Sequence, residues 1–125
     1  MHKPTVSEEA GINLFSEAES ISLIRLRYFQ HQLNEMLKAK QFSQIPIHLA
    51  FGHEAIAVAV NLNMHADDQL VCSHRNLHYN LAREKSFRRI MDEFFLRKEG
   101  VAGGRLGSMN LSNPYRNLVY SSSIL

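Results

Sequence analysis

A chain of 125 residues fits a single domain, and 45% apolar with 21% charged residues excludes a disordered composition. A formal net charge of +2 is too small for an obligate polyanion binder, and one cysteine, Cys72, excludes an internal disulfide and suits a reducing compartment. The sequence has no apolar run near the ~18 residues of a membrane span and no secretory signal, so a cytoplasmic protein with no membrane or nucleic-acid partner is expected.

Residues 1–15 carry no pattern and read as a loose N-terminal arm. Ser16 and Glu19 have capping-box spacing and predict a helix start. Behind them Leu23, Leu26, Phe29, Leu33, Met36 and Leu37 recur every three or four positions, with Ile21, Ile24 and Tyr28 widening the stripe. That spacing predicts a long amphipathic helix with Lys38 and Lys40 at its negative end.

Pro46 and Gly52 bracket an extended or irregular stretch. In the next segment Ala55, Ala57 and Ala59 alternate with Ile56, Val58 and Val60. Such alternation permits a strand, but Gly52 and Glu54 suit a helix N-terminus, so a buried helix beginning near His53 is expected. A turn at Asp67 and Asp68 precedes a brief apolar strand from Leu70 to Cys72, and "NLHYNLAREK" reads as helical. Ser86 then starts a last helix whose inner face is Phe87, Ile90, Met91 and Phe94, with Gly100 past its end. The fold class is therefore mainly α with one or two short strands. Residues 16–101 form the helical part, and residues 102–125 form a glycine- and serine-rich loop.

Arg75 sits at the end of the short strand, where ligands of open α/β sheets collect, and its planar fork matches phosphate oxygens. Spacing alone favours a surface ion pair for the same residue. His74 and His78 are four apart but have no third ligand at ordinary spacing, so no metal site is expected. Arg83, Lys85, Arg88 and Arg89 are diluted by Glu84, Asp92 and Glu93, and read as a solvated face. "GGRLGSMN" is neither a Walker loop nor GxGxxG after a strand; as a pattern it allows only mobile backbone and close approach. Cys72 reads as a core residue.

The order of these segments says more than each alone. "HLAFGHEAIAVAV", "DDQLVCSHRNLHYNLARE", "IMDEFFLRKEGVAGGRLGSMN" and "SSSIL" together resemble the alpha subunit of thiamin-diphosphate-dependent 2-oxo acid dehydrogenases, over about residues 20–125. The family pattern runs H-L-x-x-G-Q-E-A, then Y-R-x-H-x-x-x-L-A, then G-R-x-G-S-M-H, then G-I-V-G. The resemblance implies the N-terminal part of an α/β thiamin-diphosphate-binding fold. It implies oxidative decarboxylation of a 2-oxo acid with acyl transfer to a lipoyl carrier, and magnesium as second cofactor.

By the same resemblance, Arg75 contacts the cofactor diphosphate and His74 lines that pocket. His48 stands at the substrate side, and Ser123 and Leu125 present backbone to the aminopyrimidine. Gly104, Arg105, Gly107, Ser108, Met109 and Asn110 form the active-site loop. The implied partners are a beta subunit or fused beta half, a lipoyl-bearing acyltransferase component and further copies of the chain. His74 replaces tyrosine, His53 glutamine, Asn110 histidine and Ser123 glycine of the pattern, which leaves the 2-oxo acid open. The later G-D-G magnesium motif does not occur, so the resemblance implies an N-terminal, truncated portion, inactive and without bound cofactor on its own. A stand-alone helical interaction module derived from such an enzyme is the alternative.

Overall fold

The computed structural model describes residues 16–41 and 46–122, and the expected arm at 1–15 lies outside them. Helix α1 (Glu17–Lys38) starts at the predicted capping box: Ser16 Oγ accepts the Glu19 amide at 3.2 Å, and the Glu19 carboxylate accepts the Ser16 amide at 2.8 Å. Two orphan amides of the first turn are thereby satisfied. Its inner face buries Leu26 (2% exposed), Leu33 (1%) and, between them, Gln30 (0%). Each buried leucine contributes about 1.5–3 kcal/mol relative to exposure. The stripe is narrower than expected. Ile21, Ile24 and Tyr28 are exposed, because they lie off the face that turns toward the rest of the chain.

Helix α2 (Glu54–Asn63) has His53 as N-cap and packs on α1. The expectation of an enclosed helix is corrected here: Ala57 and Val58 are buried, but Ala55, Ile56 and Ala59 face outward. Strand β1 (Leu70–Ser73) follows, then α3 (Leu77–Arg83), packed on α2, and α4 (Phe87–Phe94). Ser86 is the N-cap of α4, although its side chain makes no cap bond. Ile90 and Phe94 of α4 join Leu26, Leu33, Leu77 and Leu81 in one apolar core.

Part of the segment read as terminal loop is ordered structure. A 3-10 turn at Pro114–Arg116 leads into β2 (Leu118–Ser122), which runs parallel to β1 with Cys72 opposite Ser121 and Ser73 opposite Ser122. A parallel pair needs a long crossover. Here α3, α4 and the glycine segment supply it. The described residues are thus mostly helical with a short two-stranded parallel sheet, as the fold class expected. None of these helices is long and apolar enough to cross a membrane.

The mixed-charge segment is only partly a solvated face. Arg83 turns inward, donating from Nε to the Arg116 carbonyl at 2.6 Å and from Nη1 to Asn61 at 3.0 Å. Glu84, Asp92 and Glu93 are buried, at 5%, 5% and 0% exposure. Burial would raise the Glu84 pKa, but hydrogen bonds from Asn113 and the Ser86 and Lys85 amides, with the Arg116 charge, hold it below the ordinary value.

Candidate functional site

Three segments meet at the carboxyl end of β1: the irregular stretch from Pro46 to Gly52, the exit of β1 through His74, Arg75 and Asn76, and the glycine loop. Asn76, N-cap of α3 and 1% exposed, is the knot between two of them. Its Nδ2 faces the carbonyls of Ser73 (3.3 Å), His74 (3.2 Å) and Ser108 (3.2 Å), and its Oδ1 accepts from Asn80 Nδ2 at 3.2 Å. The backbone that must present His74 and Arg75 is thereby pinned to the glycine loop. Ser108 Oγ donates to the Pro46 carbonyl, which fastens the same loop to the stretch that carries His48.

Across this junction the His48 and His74 rings stand edge to face, with centroids 4.9 Å apart. Arg75 is exposed and donates one Nη1 hydrogen bond to the Leu49 carbonyl. Among the described residues Arg75 meets no carboxylate within salt-bridge distance, so the surface ion pair that spacing favoured is not found there. Its guanidinium keeps donors available for an anion, since a backbone carbonyl takes only part of the fork. The His74 Nδ1 atom is buried without a hydrogen-bond partner among the described residues, a cost that a bound polar group would relieve.

The structure therefore brings together His48, His74 and Arg75 and places Ser108 beside them. Arg105 and Asn110 are exposed, Gly104 and Met109 half-buried, and Gly107 and Ser108 buried. With Pro46 and Leu96, loop residues 105–109 line a cavity of about 240 Å³. Ser123 and Leu125 lie outside the described residues. His78 does not join a metal-binding pair with His74; it is 2% exposed and packs against His53 and Tyr79, at ring-centroid distances of 5.5 and 4.1 Å. Burial, then the neighbouring His53, pushes its pKa down to about 4.

Two residues that organise this site escaped the sequence reading. One is Asn76, whose signal was its place between an arginine and the first apolar residue of a helix. The other is Glu93. Its Oε2 accepts the amides of Ala102 (2.9 Å) and Gly104 (2.8 Å), and its Oε1 those of Leu106 (2.8 Å) and Gly107 (3.3 Å). Its signal was a carboxylate three residues from Ile90, on the buried face of a helix. Position 77, a histidine in the family pattern, is a leucine here and a core residue at 3% exposure.

No family model matches the chain. Curated proteins do, among them alpha subunits of an acetoin oxidoreductase and of pyruvate dehydrogenases. The chain is 24% identical over 97% of its length to the alpha subunit of acetoin:2,6-dichlorophenolindophenol oxidoreductase from Bacillus subtilis. It is 30% identical over 87% of its length to the pyruvate dehydrogenase E1 component subunit alpha of Rhizobium meliloti, and 29% identical over 74% to the mitochondrial one of Saccharomyces cerevisiae. It spans 34%, 33% and 22% of those three proteins respectively. The chain is thus similar to alpha subunits of acetoin and pyruvate dehydrogenases, over a segment about a third of their length or less.

Proposed function

We propose that this chain forms the diphosphate-holding side of a thiamin diphosphate site in the alpha subunit of a 2-oxo acid dehydrogenase. The observation that supports it best is the convergence of His48, His74 and Arg75, with the Arg75 guanidinium free of any described carboxylate. Arg75 binds the diphosphate through its remaining donors, and the buried, unpartnered His74 Nδ1 gains a polar neighbour. His48 faces the substrate side, held by ring contact with His74. The segment 104–110 covers the site and excludes water. Ser123 and Leu125 face the aminopyrimidine on the strength of the resemblance alone.

Thiamin diphosphate, when bound, supplies the electron sink for decarboxylation. By the resemblance, the magnesium that accompanies the diphosphate is held through the later G-D-G motif, which does not occur in this sequence; among the described residues no three His, Cys, Asp or Glu side chains gather to hold a metal ion. A beta subunit or fused beta half completes the site, and a lipoyl-bearing acyltransferase component takes the acyl group. This segment by itself is inactive. The exposed Ile24 and Tyr28, lining a groove of about 580 Å³ with Leu23 and Ala55, support association with other chains, the alternative role as an interaction module included.

Arg75→Ala and Arg75→Lys in the assembled enzyme test the proposal. Ala weakens activation by thiamin diphosphate about ten- to a hundredfold, the range for a hydrogen bond to a charged group. Lys recovers only part, because a point charge cannot fork. Unchanged activation in both variants refutes the assignment of Arg75.

A further inference from the structure

We infer that Glu93 is the positioning residue of the candidate site: its buried carboxylate is an internal anion around which the glycine loop folds, and the loop in turn sets the spacing of His48, His74 and Arg75. The carboxylate is 0% exposed, and among the described residues no cation lies within salt-bridge distance of it. A bare buried charge is untenable, so its compensation comes from backbone dipoles. Four amides, those of Ala102, Gly104, Leu106 and Gly107, converge on its two oxygens between 2.8 and 3.3 Å.

A glycine-rich run whose amides point at one centre is the geometry that cradles a phosphate. Here those donors are already taken, so the loop is no cradle for an external anion. The glycines serve the collar itself. Any Cβ on Gly100 would stand 2.4–2.7 Å from Glu93 atoms, and Gly104, at φ +71, would put one 2.6 Å from the Arg97 carbonyl oxygen. The neighbouring Asp92 is engaged elsewhere, with Arg97 at 3.1 Å and Arg88 at 3.7 Å.

From the collar, order passes along covalent chain and two contacts. Gly107 is followed by Ser108, whose carbonyl meets Asn76 and whose hydroxyl meets the Pro46 carbonyl. Asn76 adjoins Arg75, and Pro46 stands two residues before His48. Loss of the Glu93 charge therefore loosens both walls of the His48–His74 contact at once. Nothing in this chain of contacts needs the cofactor reading, and loop order and diphosphate affinity are separate measurements.

Amide hydrogen exchange and ring-to-ring nuclear Overhauser effects on the full chain test it, in Glu93→Gln, Glu93→Asp and Glu93→Ala. Glu93→Gln keeps the volume but turns an NH2 toward two of the donors. It lowers protection at residues 102, 104, 106 and 107 by about tenfold or more, as loss of charge-assisted bonds predicts. It also weakens the His48–His74 effect, and spares α1. Glu93→Asp, one methylene short, gives part of the same loss. Glu93→Ala shows it in full, and added formate restores protection at the four amides by refilling the collar. Unchanged protection in Glu93→Gln overturns the inference. So does a uniform loss across the whole chain that formate does not reverse, the behaviour of a residue that serves core stability alone.

Discussion

Glu54 grips Arg27 with both carboxylate oxygens, at 2.5 Å from Nε and 3.0 Å from Nη2, across the seam between α1 and α2. The same carboxylate accepts Gln30 Nε2 at 3.0 Å and the Gly52 amide at 2.8 Å, and Gln30 Oε1 accepts the Ala50 amide at 2.6 Å. One buried glutamate thus ties the stretch bearing His48 to the first helix. An arginine fork alone on a protein surface contributes little; the amides that Glu54 also satisfies are what make its loss costly.

Glu54→Gln is therefore expected to lower stability by about 1–3 kcal/mol in urea denaturation. The Arg27 hydrogen bond, opposed by burial, holds the Glu54 pKa below its ordinary 4.5. A depressed folded pKa means that the carboxylate's contribution is complete above pH 4.5 and is lost as pH falls through the lower folded value. The variant should lack that part of the acid sensitivity. Equal stability of variant and wild type at pH 7 would contradict the account.

His78 gives a second pH dependence, in a different window. Its pKa falls from 6.5 to about 4, through burial first and the His53 charge second, with Glu54 opposing and Arg75 assisting. The unfolded chain binds a proton below 6.5 that the folded chain refuses until about 4, so stability drops between those values, by up to about 3 kcal/mol. Replacing the imidazole by phenyl, His78→Phe, keeps the packing on Tyr79 and His53 and should flatten the stability profile over that interval. An unchanged slope would show that His78 is not the group responsible.

Two glycines with positive φ should respond differently to alanine. Gly52 (φ +87) has open space where a Cβ would go, whereas at Gly104 (φ +71) the Cβ would lie 2.6 Å from the Arg97 and Leu96 backbone. Gly52→Ala costs only the left-handed strain, about 1–2 kcal/mol. Gly104→Ala adds a backbone clash, so its loss in thermal stability should be clearly larger. Equal losses would mean that the loop yields freely.

Burial raises the Cys72 thiol pKa to about 11, and the residue is 8% exposed. Alkylation by iodoacetamide at pH 8 should therefore be slow in the folded chain and become rapid in urea. Prompt modification of the native protein would place Cys72 outside the core.

The local features were legible because their causes are local. Ser16 and Glu19 cap α1 by spacing alone, and the Leu26–Leu33 stripe, the short strand at Leu70 and the inner face at Ile90 and Phe94 follow from periodicity. Strand β2 was not legible as a strand: "LVYSS" acquires its role only by pairing with β1, whose partner residues lie 48 or 49 positions earlier in the chain. Glu93 was hidden for the same reason. Four of its partners are amides nine to fourteen residues away, which no pattern of side chains records. The position of Arg75 just past the short strand was legible from the sequence, but its hydrogen bond to the Leu49 carbonyl required the folded chain.

Side-chain nuclear magnetic resonance of the full chain titrated with inorganic pyrophosphate tests most directly whether Arg75 and His74 form a diphosphate-binding face. The expected result is that the Arg75 Nε–H and His74 ring signals move together and saturate near about millimolar pyrophosphate, the affinity of a few unassisted contacts. Arg75→Ala should abolish the response. Movement confined to exposed arginines such as Arg88, with Arg75 and His74 silent, would contradict it.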